Sequence, residues 1–325
     1  MPPTMENEGQ DSGGNDWTTD RNAYTTSASA IESNSIPDLQ KSLALARDFF
    51  DDDEYAQFRE EVFRDILSYN SMDLLLYMLD YERIPITMVT PNSIFQWASK
   101  SLIDALTSRG WDVDAMDPPA FNGKRLLDYF VRERYGKEDL ARWLVQEKGA
   151  TVTSRGSCPP SDRDVMRTPL LETCAAFGTV SMLTFLEREG ANPTSRMLHV
   201  AVEVAAGRGV DPDSDLSQQP QDRHDRSVEM LHYLVIKRQM SVNAIDTDVC
   251  PKGGTDIYWG TPICYAARCS KGAQVVRWLL KKGADPTIRS TCSGMDAIAC
   301  AREAKCDEIV SILEDWRGER YKNEV

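Results

Sequence analysis

The chain predicts an all-α fold, a solenoid of about six to seven short helix–turn–helix units. Two observations carry this. Residues 261–283 and 168–190 each run from a Thr-Pro start through two apolar helical patterns to a Gly-Ala exit. Both span 22 residues and lie 93 apart, so spacing and residue types recur together. A helix pair this short buries too little surface to be stable alone and must stack on neighbours.

Within 261–289, Thr261 is placed to cap the first helix, with Pro262 at its first turn, where the missing N–H costs nothing. Ile263, Ala266 and Ala267 share one face, and the alanines admit another backbone closely. Val275, Val276, Leu279 and Leu280 form the second apolar stripe, and Gly283 stands where a left-handed C′ residue is needed. The Thr-Pro-Ile-x-x-Ala-Ala start and Leu-Leu-x-x-Gly-Ala-Asp exit closely resemble the ankyrin repeat. That resemblance implies β-turn–helix–helix units in a solenoid, and with degenerate units included it covers roughly four-fifths of the chain.

In chain order, residues 1–36 are rich in Ser, Thr, Asn, Gly and Asp and are expected to be disordered. Residues 37–55 read as a helical extension, its helix at 37–50 with Leu39, Leu43, Leu45, Ala46 and Phe49 or Phe50 inward. The carboxylate run 51–54 is a solvated turn or a contact for a basic peptide. Residues 56–316 are expected to form the solenoid. Its first unit uses Phe58, Val62, Phe63, Ile66 and Leu67, then Leu74, Leu75, Met78 and Leu79, with Asn70 and Ser71 supplying a turn and an N-cap. A second unit (91–115) ends in Gly110-Trp111-Asp112, with Trp in the alanine place, and a third spans 123–152.

The fourth unit is 168–193. The fifth begins at Met197-Leu198-His199-Val200-Ala201, resembling the family's Pro-Leu-His-x-Ala, and resumes at 227–236 after a polar insertion, 207–225. Repeat proteins place such insertions on one face. The last unit, 294–314, resembles a capping repeat with charged residues toward water, and the tail 317–325 is expected to fray.

Composition narrows the function. The net charge is −14, and residues 1–66 carry 15 acidic against 5 basic side chains, so the rest holds only −4. Phosphate neutralisation is disfavoured, and no nucleic-acid partner is expected. No apolar run reaches membrane-spanning length and the N-terminus has no signal-peptide pattern, which leads to an intracellular expectation, cytoplasmic or nuclear, with no membrane partner. The eight cysteines (Cys158, Cys174, Cys250, Cys264, Cys269, Cys292, Cys300, Cys306) form no C-x-x-C pair, and His199, His224 and His232 are scattered. Reduced structural thiols are expected, with no metal and no cofactor. No phosphate loop, H-E-x-x-H or G-x-S-x-G motif is present, so the chain is expected not to be an enzyme.

Binding is the expectation that remains. The resemblance implies a concave face of inner helices and loop tips that holds a protein partner, and a structural, turn-bridging role for His199. The loop 244–260 carries Asp256, Tyr258 and Trp259, residue types that anchor interfaces, although Trp259 can equally pack on its own loop. Tyr265 and Arg268, with Glu172 and Phe177 of the fourth unit, are expected to line the same surface of a monomer. Two alternatives stand beside this scaffold: an adaptor that delivers a client to another complex such as a ubiquitin ligase through its acidic N-terminal segment, and an enzyme or small-ligand binder with 207–225 as a lid.

Overall fold

Helical patterning sets the architecture, and in the computed structural model the described residues are 17–118, 123–153, 169–213, 226–246, 260–291 and 293–323. Among them there is no β-strand, only an isolated bridge between Met116 and Arg125. The chain divides into two units, Met1–Asp112 and Val113–Val325.

The first unit begins with a helix where the sequence predicts disorder. Helix α1 (Trp17–Glu32) buries Ala23, Ser27, Ala30 and Ile31 and packs on α2 (Ile36–Phe49) and α3 (Asp52–Tyr69). Small residues at spacings of three, four and seven make a helical face that apolarity does not reveal, because a backbone packs against it rather than large side chains. The Ser42 hydroxyl on α2 donates to the Ala23 carbonyl at 2.8 Å, which such close approach allows. On α2, Leu39, Leu43 and Ala46 point inward, whereas Leu45 and Phe49 are exposed, since they fall off that stripe.

The carboxylate run begins α3. Asp51 accepts from the Asp53 and Glu54 amides at 3.0 and 2.9 Å, and Glu54 accepts from the Asp51 amide at 3.2 Å. This capping box also places negative charge at the positive end of the helix dipole. Asn70 ends α3 in the left-handed conformation. The Ser71 hydroxyl makes no cap for α4 (Met72–Asp80) and donates instead to Asn34. After α5 (Pro91–Ile94) and α6 (Lys100–Thr107), buried Trp111 donates from its indole to the Val89 carbonyl at 2.8 Å.

The second unit is a row of paired helices. The first members are α7 (Leu126–Phe130), α9 (Leu170–Phe177), α11 (Met197–Arg208), α13 (Pro262–Ala267) and α15 (Ala297–Glu303). Helix α9 packs on α11, α11 on α13, and α13 on α15. The second members are α8 (Glu138–Lys148), α10 (Val180–Arg188), α12 (Arg226–His232) with a π-helical continuation at Tyr233–Lys237, α14 (Ala273–Lys281) and α16 (Asp307–Asn323). Helix α14 buries Trp278, Val275, Val276 and Leu279.

The turn after α9 is crowded. A Cβ at Gly178 would lie 2.6 Å from the Val131 carbonyl oxygen, so only glycine lets the end of α7 approach this closely. The tail predicted to fray is instead continuous with α16, which runs to Asn323. Helix α11 runs to Arg208, two residues into the predicted insertion, and ends at left-handed Gly209. The rest of the insertion, 214–225, lies outside the described residues, as does Thr168.

Candidate interaction surface

The loops entering the first helices are tied by buried polar groups. Asn243 donates to the Gly283 carbonyl at 3.0 Å and accepts from the Asp285 amide at 2.7 Å, joining two successive turns. Three residues on, fully buried Asp246 accepts the Tyr265 hydroxyl at 2.9 Å and faces the Arg196 guanidinium at 3.1 Å. Arg196 also lies 4.0 Å from Glu172, which accepts the Thr194 hydroxyl at 2.8 Å. Burial raises the Glu172 pKa; Thr194 and Arg196 oppose it.

His199 sits between the Ser195 carbonyl at 3.2 Å and the Ala244 carbonyl at 3.0 Å, with its ring edge-on to Tyr265. Burial lowers its pKa, against the Asp246 carboxylate and the neighbouring carbonyls, which act to raise it. The same latch recurs earlier. Asp114 accepts from the Thr151 amide at 3.0 Å, and three residues on Asp117 accepts the Tyr129 hydroxyl at 2.6 Å.

These networks relocate two of the expected surface residues. Tyr265 is 5% exposed and Glu172 1% exposed. Each is drawn inward by a loop partner, Asp246 for the tyrosine and Thr194 with Arg196 for the glutamate. The Thr261 hydroxyl makes no helix cap; it faces the Cys264 thiol at 3.4 Å. That thiol is lowered in pKa chiefly by a hydrogen bond from Cys300. Phe177 is half-buried, with the Arg132 guanidinium 4.5 Å from its ring centroid, and Arg268 is half-buried and paired with Glu303 at 2.8 Å. Asp256, Tyr258 and Trp259 lie outside the described residues. Among the described residues, no group of three or more His, Cys, Asp or Glu could hold a metal ion.

Two residues on this surface were missed in the sequence. Tyr129, Val200, Tyr265 and Cys300 are each the fourth residue of their helix, and Glu172 is fourth counted from Pro169. Three positions further, one turn along the same face, stand Arg132, Ala175, Glu203, Arg268 and Glu303. Arg132 and Glu203 carry no motif, and only aligning the helices by their starts brings them into one row.

Residues 260–291 match the family model described as "Ankyrin repeat". Over this stretch the chain is similar to a single ankyrin repeat. In it, Cys264 stands where the family pattern carries histidine, while Thr261, Pro262, Ala266 and Ala267 keep the resemblance. We read the flanking hairpins as divergent ankyrin-type repeats, the fifth of which retains its histidine at His199. No curated protein matches the chain. Among solved structures, the chain is similar to a complex of the Bd0816 predatory endopeptidase from Bdellovibrio bacteriovorus with immunity protein Bd3460, at 16% identity and a TM-score of 0.41. That likeness covers 70% of this chain and 97% of the other. No described helix is long and apolar enough to cross a membrane.

Proposed function

We propose that the chain is a non-enzymatic protein-interaction scaffold that holds a protein partner along the inner-helix face of its ankyrin-type repeats and on the long loops beside them. The observation that carries this reading is the division of labour along α13. Tyr265 is consumed by the loop latch, while Arg268, one turn later, reaches the surface row. Phe177 and Arg268 are the accessible anchors of the described face, and Asp256, Tyr258 and Trp259 are the anchors proposed on the loop. Ankyrin repeats are typically non-catalytic, and the described histidines are engaged: His199 by two carbonyls, His232 by the Pro212 carbonyl at 2.8 Å and by stacking on Trp278.

Affinity capture from cell extract tests the reading, comparing the native chain with Phe177→Ala/Arg268→Ala and Tyr258→Ala/Trp259→Ala. The expected result is loss of the same partner in one or both variants with unchanged melting. Retention of every partner by both sinks it.

A second reading, a small-ligand binder, draws on an apolar cavity of about 390 Å³ lined by Val180 of α10 and by Glu229, His232, Tyr233, Ile236 and Lys237 of α12 and its π-helical continuation. Deleting residues 214–225 separates the two. A scaffold keeps its partner, whereas a ligand site closed by that segment loses its ligand.

A further inference from the structure

The row one turn beyond the latch positions is charged in a definite order. From α7 to α15 it reads Arg132, Ala175, Glu203, Arg268 and Glu303: positive, small and apolar, negative, positive, negative. Its last two members satisfy each other at 2.8 Å. Its first and third do not. Among the described residues Arg132 has no carboxylate within ion-pair distance, and its buried Nε lacks a hydrogen-bond partner. Its guanidinium instead covers the Phe177 ring. Glu203 likewise has no ion pair within 4 Å among the described residues, although the Arg196 and Arg268 charges act on its carboxylate, and it is exposed on α11. Between these two charges the row drops to Ala175, 3% exposed, beside half-buried Phe177. By register the row therefore presents a cation stacked on an aromatic ring, a small buried residue and an anion over three successive inner helices.

Packed helices lie about 8–10 Å apart, so Arg132 and Glu203 stand roughly 16–20 Å apart along the row. An extended chain advances about 3.3 Å per residue, so five to six residues cover that distance. A helix would need roughly 11–13 at 1.5 Å per residue, and only its contacting face would be read. Like charges facing these two residues would be repelled, which fixes which charge of the segment lies on which helix, while either chain direction can present them.

We propose that this row binds an extended peptide segment of a protein partner, with an acidic residue on Arg132, an apolar residue over Ala175 and a basic residue on Glu203, in the pattern acid-x-x-apolar-x-x-base or its reverse. The proposal rests on the scaffold reading above and supplies the partner chemistry of the same face.

The test is selection of a displayed random dodecapeptide library on the full-length protein, followed by anisotropy titration of the enriched peptides. The expected outcome is enrichment of an acid and a base six residues apart with an apolar residue midway. Arg132→Glu and Glu203→Lys should each weaken binding by about tenfold or more, with unchanged melting, and the double variant should prefer peptides with the two charges exchanged. Arg132→Gln and Glu203→Gln, nearly isosteric, repeat the test with the least change in shape. If peptides enrich without that spacing and lose binding in Phe177→Ala but not in the charge variants, the register proposal is overturned while the scaffold reading stands. Enriched peptides indifferent to all these variants overturn the use of this face altogether.

Discussion

The hairpin built on α7 and the one built on α13 are instructive side by side. The second has the Thr-Pro start, the paired alanines and the Gly-Ala-Asp exit; the first has Arg125-Leu126 at its start and Phe130 in the first alanine place. Yet each loop runs from an Asp or Asn that bridges to the next turn, through an Asp three residues later, to a tyrosine at the fourth helical position. Each then has an arginine one turn beyond. The residues that make the later hairpin recognisable are absent from the earlier one, and the polar latch and the charged row are present in both. What differs is the depth of the latch. Asp246 also faces Arg196, which reaches on toward Glu172, whereas Asp117 receives the Tyr129 hydroxyl.

That difference predicts unequal costs. Asp246→Ala removes a fully buried carboxylate that accepts the Tyr265 hydroxyl and faces the half-buried Arg196 guanidinium, and should lower unfolding free energy by about 2–4 kcal/mol. Asp117→Ala removes the acceptor of the buried Tyr129 hydroxyl and should cost less, about 1–3 kcal/mol. Equal losses in urea titrations would break the comparison. Of comparable size to the second, Tyr265→Phe and Tyr129→Phe each delete one hydrogen bond to a carboxylate, and both should cost about 1.5–3 kcal/mol. A near-zero value for either would mean that its latch is ornamental.

The pH dependence sharpens the same contrast, because Glu172 and His199 belong only to the later region. Burial lowers the His199 pKa, so the unfolded chain takes up its proton first, and stability is gained as pH rises through the ordinary imidazole range. Burial raises the Glu172 pKa, so its contribution is present below the ordinary carboxylate range and lost as pH rises through the raised value. Thermal scans of Glu172→Gln should therefore show a steeper net gain between about pH 4.5 and 7 than the native chain. An unchanged slope would place the carboxylate outside this balance. The smallest stability effect is expected for Arg268→Ala, whose partly exposed pair with Glu303 contributes under about 1 kcal/mol.

Apolar periodicity made the later hairpins legible, since Val275, Val276, Leu279 and Thr261-Pro262 speak through size and backbone preference alone. Helix α1 was hidden because Ala23, Ser27 and Ala30 make a packing face without apolar bulk. Tyr265 and Glu172 were assigned to the surface because their partners, Asp246, Thr194 and Arg196, are 19 to 24 residues away in sequence, and contact at that range has no local signature. Arg132 and Glu203 escaped for the opposite reason: their meaning is positional and emerges only when five helices are set in register.

On the proposed division of labour, the fourth position of each inner helix serves architecture and the position one turn later serves recognition. Measuring melting and peptide affinity together on Tyr265→Phe and Arg132→Glu tests it most directly. The account predicts that Tyr265→Phe loses stability and keeps affinity, while Arg132→Glu keeps stability and loses affinity. The reverse assignment, or loss of both properties in both variants, would contradict it.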